Sequence, residues 1–200
     1  MSAQPESVLD FWFGAPGSAT GIAGRQNRLW FGKSPANDQA VIDRFAATLT
    51  AATAGHLDHW TYTPRGRLAL VIVLDQFPHH IYRDRPQAFA TDAQALGLTL
   101  AALATHEDRQ LTPIERVFLY LPLEHAESLE IQERAVSLYA KLAHEAAAAE
   151  RPLFDGFLDY ARKHREVVAR FGRFPHRNAI LGRASTPDEI AFLKQPGSRF

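Results

Sequence analysis

The chain has 200 residues, 46% of them hydrophobic, and its 22 basic residues equal its 22 acidic ones. A chain of this length forms one domain, here residues 1–200, that buries roughly 70% of its unfolded surface. The balanced charge lacks the basic excess of a nucleic-acid binder, the absence of cysteine excludes disulfides and thiolate chemistry, and the longest apolar run, Leu68 to Leu74, is too short to cross a bilayer.

The opening stretch, Met1 to Gly14, has neither the basic nor the apolar region of a signal peptide. The expected location is therefore the cytoplasm. Pro5 starts a short helix carrying Val8, Leu9, Phe11 and Trp12, which Gly14 stops. Residues 15–24, rich in Gly and Ala, read as loop. Ser34-Pro35 is an N-cap with proline at the first helical position; Val41, Ile42, Phe45 and Leu49 follow at helical spacing, and Gly55 ends the element.

Thr63-Pro64 repeats that device and opens the most apolar segment, which Pro78 stops. Leu70 to Leu74 also has the look of a buried strand. The cap and the lack of a second run to pair with it favour a helix at about 64–77, apolar all round and central to a bundle.

Further helices are expected from Thr91-Asp92 to Leu103, from Thr112-Pro113 to Tyr120 before Pro122, from Ser128 to about Ala148, and over residues 153–171. Thr186-Pro187-Asp188-Glu189 is a capping box before a last helix. The fold class is all-α, with seven to nine helices in antiparallel hairpins around the central one. Phe11, Trp12, Phe13, Trp30, Phe31 and Trp60 read as core.

Polar residues gather where helices end. Asp75 and Gln76 close the apolar helix, next to His79 and His80. Glu124-His125-Ala126-Glu127 follows Pro122. His164 stands alone on the apolar stripe of the helix over 153–171 and reads as a core histidine. The segment from Arg170 to Arg183 holds Arg173, His176, Arg177 and Asn178 with no acid before Asp188, and Gly172, Pro175 and Gly182 break it. Arginines on irregular backbone suit a bidentate grip on carboxylate or phosphate, from a ligand or from the protein's own acids.

A buried acid at a helix C-terminus needs a partner, and an arginine clamp on Asp75 is the leading expectation. His125 beside Glu124 and Glu127 has the makings of general acid–base catalysis. No spacing matches a metal-ligand motif, so neither a metal nor a cofactor is expected.

Taken together, Val8-Leu9-Asp10-Phe11-Trp12-Phe13-Gly14, Leu74-Asp75-Gln76-Phe77-Pro78, Phe89-Ala90-Thr91-Asp92, Leu121-Pro122-Leu123-Glu124-His125 and Arg170-Phe171-Gly172-Arg173-Phe174-Pro175-His176-Arg177-Asn178 resemble a bacterial family known as domain of unknown function 924. The resemblance implies an all-helical fold similar to tetratricopeptide repeats and no established activity. It departs from the family at His79-His80, where Arg-Asn is common, and at Ala126, where Ser is common.

Three functional readings follow. The leading one is a binding module whose groove takes a small anionic molecule or peptide through Arg173, Arg177, Asn178, His176 and Gln76, with Asp75 and Glu124 holding the arginines. The second is an enzyme on a small phosphorylated or carboxylated substrate, with His125, Glu124 and Asp75 as catalytic candidates. The third makes the polar clusters an internal network and places function in a homo-oligomer interface.

Overall fold

A computed structural model describes residues 4–198. It is all-α among the described residues, with nine α-helices of six residues or more, joined by short 3-10 turns. The helices are α1 (Pro5–Phe13), α2 (Ala19–Trp30), α3 (Pro35–Thr53), α4 (Pro64–Asp75), the short α5 (Phe77–Ile81), α6 (Asp92–Ala104), α7 (Pro113–Glu124), α8 (Leu129–Glu145), α9 (Arg151–Phe171) and α10 (Pro187–Phe192).

The Thr63 hydroxyl accepts from the Gly66 amide and Pro64 opens the first turn, so the apolar run becomes the helix α4 and not a strand. Every residue from Leu68 to Asp75 is buried, and α1, α3, α6 and α7 pack around it. Each wholly buried aliphatic side chain, such as Val71, Ile72 or Val73, contributes about 1.5–3 kcal/mol. α9 packs along α8 at one side of this core.

Trp12, Phe13, Trp30, Phe77 and Phe118 form an aromatic centre, with the Trp30 indole donating to the Trp12 carbonyl at 2.8 Å. Phe31 departs from the core expectation, at 53% exposed.

Two sequence expectations need correction. Residues 19–24 are not loop: Ser18 accepts from the Gly21 amide and starts α2, whose Ile22, Ala23 and Trp30 are buried. Helix α7 does not stop before Pro122 but runs through it to Glu124. Proline removes one backbone donor from the ladder. The neighbouring carbonyls of Val117 and Leu119 receive the Tyr139 and Thr99 hydroxyls, both at 2.8 Å. These side-chain donors tie α7 to α8 and α6 on either side of the Phe118 carbonyl that Pro122 leaves without its helical partner.

Candidate functional site

Asp75 sits at the last position of α4 and is 0% exposed. Its partner is not an arginine. His125, the C-cap of α7, places Nδ1 at 2.8 Å from Asp75 Oδ1, and the Gln76 amide donates to Oδ2 at 2.5 Å. Because a carboxylate only accepts, Nδ1 of His125 is the donor.

Burial pushes the Asp75 carboxyl up, but the facing His125, with His79 and Gln76, outweighs it and holds the group below its usual range. Burial likewise opposes charge on His125, yet Asp75 and Asp92 raise it above its ordinary value. The two groups form a pair in which each favours the charged form of the other.

Around this pair lie three more imidazoles. His79, on α5, has its ring centroid 5.6 Å from that of His125; burial and the His125 charge lower it to about 3. His164, on α9, donates from Nδ1 to the Tyr160 carbonyl at 2.9 Å and lies 3.3 Å from Glu124 Oε2. Burial brings it to about 3, so it is the neutral core histidine its position in the apolar stripe suggests. His176 is lowered to about 4 by burial and by Arg177. Glu124, fully enclosed beside Tyr139, is raised to about 7 by burial.

The arginine segment begins where Gly172, at φ 70°, ends α9 in the left-handed conformation that residues with a Cβ resist. Arg173 turns away and forks onto Glu189 through Nε and Nη2, at 2.7 and 2.8 Å. Arg183 forks onto Glu127 at 2.6 and 2.9 Å and also donates to the Asn178 side chain. Asn178, 0% exposed, gives its amide to Ser185.

Arg177 alone of these points at the Asp75–His125 pair's surroundings. It donates from Nη1 to Asp92 Oδ2 at 3.1 Å, and its guanidinium carbon lies 4.7 Å from the ring centres of both Phe89 and Phe174. Burial, with the Asp75 charge, raises Asp92 to about 6.

A family model described as bacterial protein of unknown function (DUF924) matches residues 8–197. The chain belongs to the DUF924 family. A solved structure of the protein of unknown function ATU0120 from Agrobacterium tumefaciens is similar to it, with a TM-score of 0.79 and 35% identity over 95% of this chain and 96% of that one. No curated protein matches the chain.

In this DUF924 protein, then, residues far apart in sequence converge: Asp75, His79, Asp92, Glu124, His125, His164, His176 and Arg177 form one polar cluster. His79, Phe89, Asp92, His125 and His176 are half-buried and make its rim. Of the expected ligand contacts, Arg177 and His176 belong to the cluster and Gln76 supports it, whereas Arg173 and Asn178 are engaged elsewhere in the fold. Glu124 holds no arginine; it lies against His164 and Tyr139. Two shallow hollows, one lined by Glu133, Arg162 and Arg165 and the other by Leu49, Pro78 and Tyr82, lie outside the cluster.

Asp92 and Phe89 were legible only as a helix start and its approach; their place in a shared motif was the one signal pointing further. At the positions where the chain departs from the family pattern, His79 joins the cluster, while His80 pairs with Asp38, which Arg83 also grips. The Ala126 carbonyl accepts from Gln132. Among the described residues, no three His, Asp or Glu side chains are grouped so as to hold a metal ion. No described helix is long and apolar enough to cross a membrane.

Proposed function

We infer that the polar cluster is a general acid–base site acting on a small carboxylated or phosphorylated substrate. The observation that carries this reading is the 2.8 Å hydrogen bond from Nδ1 of His125 to the wholly buried Asp75. A carboxylate on Nδ1 fixes the ring orientation and leaves Nε2 to exchange a proton with substrate. Asp75 also stabilises the imidazolium, so His125 serves as the acid in its charged form and as the base once it has given up its proton.

Arg177 supplies fixed positive charge beside the pair, where negative charge developing on a substrate would be stabilised. The spread of titration points, Glu124 at about 7 and Asp92 at about 6 against a depressed Asp75, is the pattern expected where acids and bases take different roles. A pure binding module draws less support, because Arg173, Asn178 and Gln76 spend their donors on Glu189, Ser185 and Asp75.

The test is turnover of a panel of small phosphorylated and carboxylated compounds, followed by NMR, for wild type, His125→Gln and Asp75→Asn. Wild type is expected to convert at least one member, His125→Gln none, and Asp75→Asn far less than wild type. Conversion that survives His125→Gln, or no conversion by wild type, removes the reading.

A further inference from the structure

Arg177 uses its guanidinium differently from its neighbours. Arg173 and Arg183 each close a two-point fork on a carboxylate of the protein itself. Arg177 gives Asp92 one bond at 3.1 Å, and its Nε, buried, has no hydrogen-bond partner. Oδ1 of Asp92 is likewise buried and unpartnered, as is Nε2 of His79. The aromatic faces of Phe89 and Phe174, both 4.7 Å away, fix the plane of the guanidinium. A donor edge held in this way meets a planar carboxylate with little loss of side-chain freedom.

A carboxylate on that edge would lie close to Asp92 and be repelled by it. An ammonium adjacent to the carboxylate removes the conflict, because it has an acceptor waiting in Oδ1 of Asp92. The charge of the cluster points the same way. The carboxylates of Asp75 and Asp92 face Arg177 and His125; Glu124, raised to about 7, adds negative charge as it ionises, and His79, His164 and His176 are neutral near pH 7. A site with no excess of positive charge suits a ligand without net charge better than a phosphate dianion.

We propose that the substrate is a zwitterion of the α-amino-acid type, its carboxylate on the Nε edge of Arg177 and its ammonium on Oδ1 of Asp92. This rests on the reading of the cluster as a substrate site and narrows it to one chemical class.

The experiment is calorimetric titration of the whole chain near neutral pH with each proteinogenic L-amino acid, and with propionate, ethylamine and inorganic phosphate. At least one amino acid should bind more tightly than any of those three. Arg177→Met should weaken it about thirtyfold or more. Asp92→Asn, which keeps the shape, should weaken the amino acid about tenfold or more while leaving propionate binding equal or stronger. Phosphate or propionate binding as tightly as every amino acid, and lost in Arg177→Met, overturns the zwitterion and spares the anionic-substrate reading. No binding by any of these compounds overturns both.

Discussion

His125 donates to Asp75 at 2.8 Å across fifty positions of the chain, joining the C-terminal ends of α7 and α4. Both groups gain from the pairing, so breaking it should be visible on either one. In Asp75→Asn the carboxylate charge is gone and burial acts on His125 with only Asp92 to oppose it. We expect the His125 midpoint, followed by NMR of the imidazole, to fall. A midpoint that stays put would show that Asp75 does not set it.

His164 and Glu124 touch, yet they push stability in opposite directions with pH. His164 has a folded value of about 3 against 6.5 for the free side chain, so the folded state binds fewer protons between them. Its contribution is present above pH 6.5 and is lost as pH falls toward 3. Replacing it by Gln should flatten the acid limb of the stability curve by up to about 1.4 kcal/mol per pH unit in that window. Urea unfolding of both proteins at several pH values gives the difference; equal slopes would refute it.

Glu124 has the reverse sign. Its folded value is raised from 4.5 to about 7, so the folded state holds the proton more tightly and loses stability as pH rises through that interval. Glu124→Gln should therefore gain on wild type as pH is raised from 5 to 8, by about 2–3 kcal/mol. The same unfolding series, run upward, measures it, and a constant difference would count against a buried, proton-holding Glu124.

Two glycines in helices should respond oppositely to alanine. A Cβ on Gly66, in the first turn of α4, would run into the Trp60 carbonyl oxygen and crowd the capping hydroxyl of Thr63. Gly66→Ala is expected to destabilise by about 2 kcal/mol or more despite alanine's better helix propensity. Nothing lies within 4 Å of a Cβ on Gly97 in α6, so Gly97→Ala should stabilise by about 0.5–1 kcal/mol. Denaturation midpoints decide both.

Thr99, 0% exposed, donates to the Leu119 carbonyl near the proline of α7. Thr99→Val keeps the shape and deletes the donor, at a cost of about 1 kcal/mol. If the cost is absent, the hydroxyl does not support the helix.

The fold is largely written in local signals. Thr63-Pro64 before Leu68–Leu74 is enough to place the central helix, and Thr186-Pro187-Asp188-Glu189 places the last one. What local signals miss depends on distant partners. Gly21 and Gly24 make residues 19–24 poor helix material by propensity, and only burial of Ile22, Ala23 and Trp30 against the core outweighs it. Pro122 reads as a stop because the packing that holds α7 past it comes from α6 and α8, which are distant in sequence. The same holds at the site. That Asp75 needs a partner follows from its place at a helix end, but the choice of His125 over an arginine is a matter of tertiary geometry. So is the division of labour among Arg173, Arg177 and Arg183, which look alike in sequence.

The small apolar cluster of Val167, Val168 and Phe174, with Phe171 and Phe192 against it, is separate from the main core. The segment after α9 is thus fastened by a minor hydrophobic contact, by the buried Arg177 and Asn178, and by two forks, of which Arg173–Glu189 has a buried carboxylate while Arg183 and Glu127 are each about a quarter accessible. The exposed Arg183–Glu127 fork weakens with ionic strength, whereas the buried helices around α4 do not feel it. Salt should therefore loosen the exposed Arg183–Glu127 tie first, leaving the melting of the main core nearly untouched.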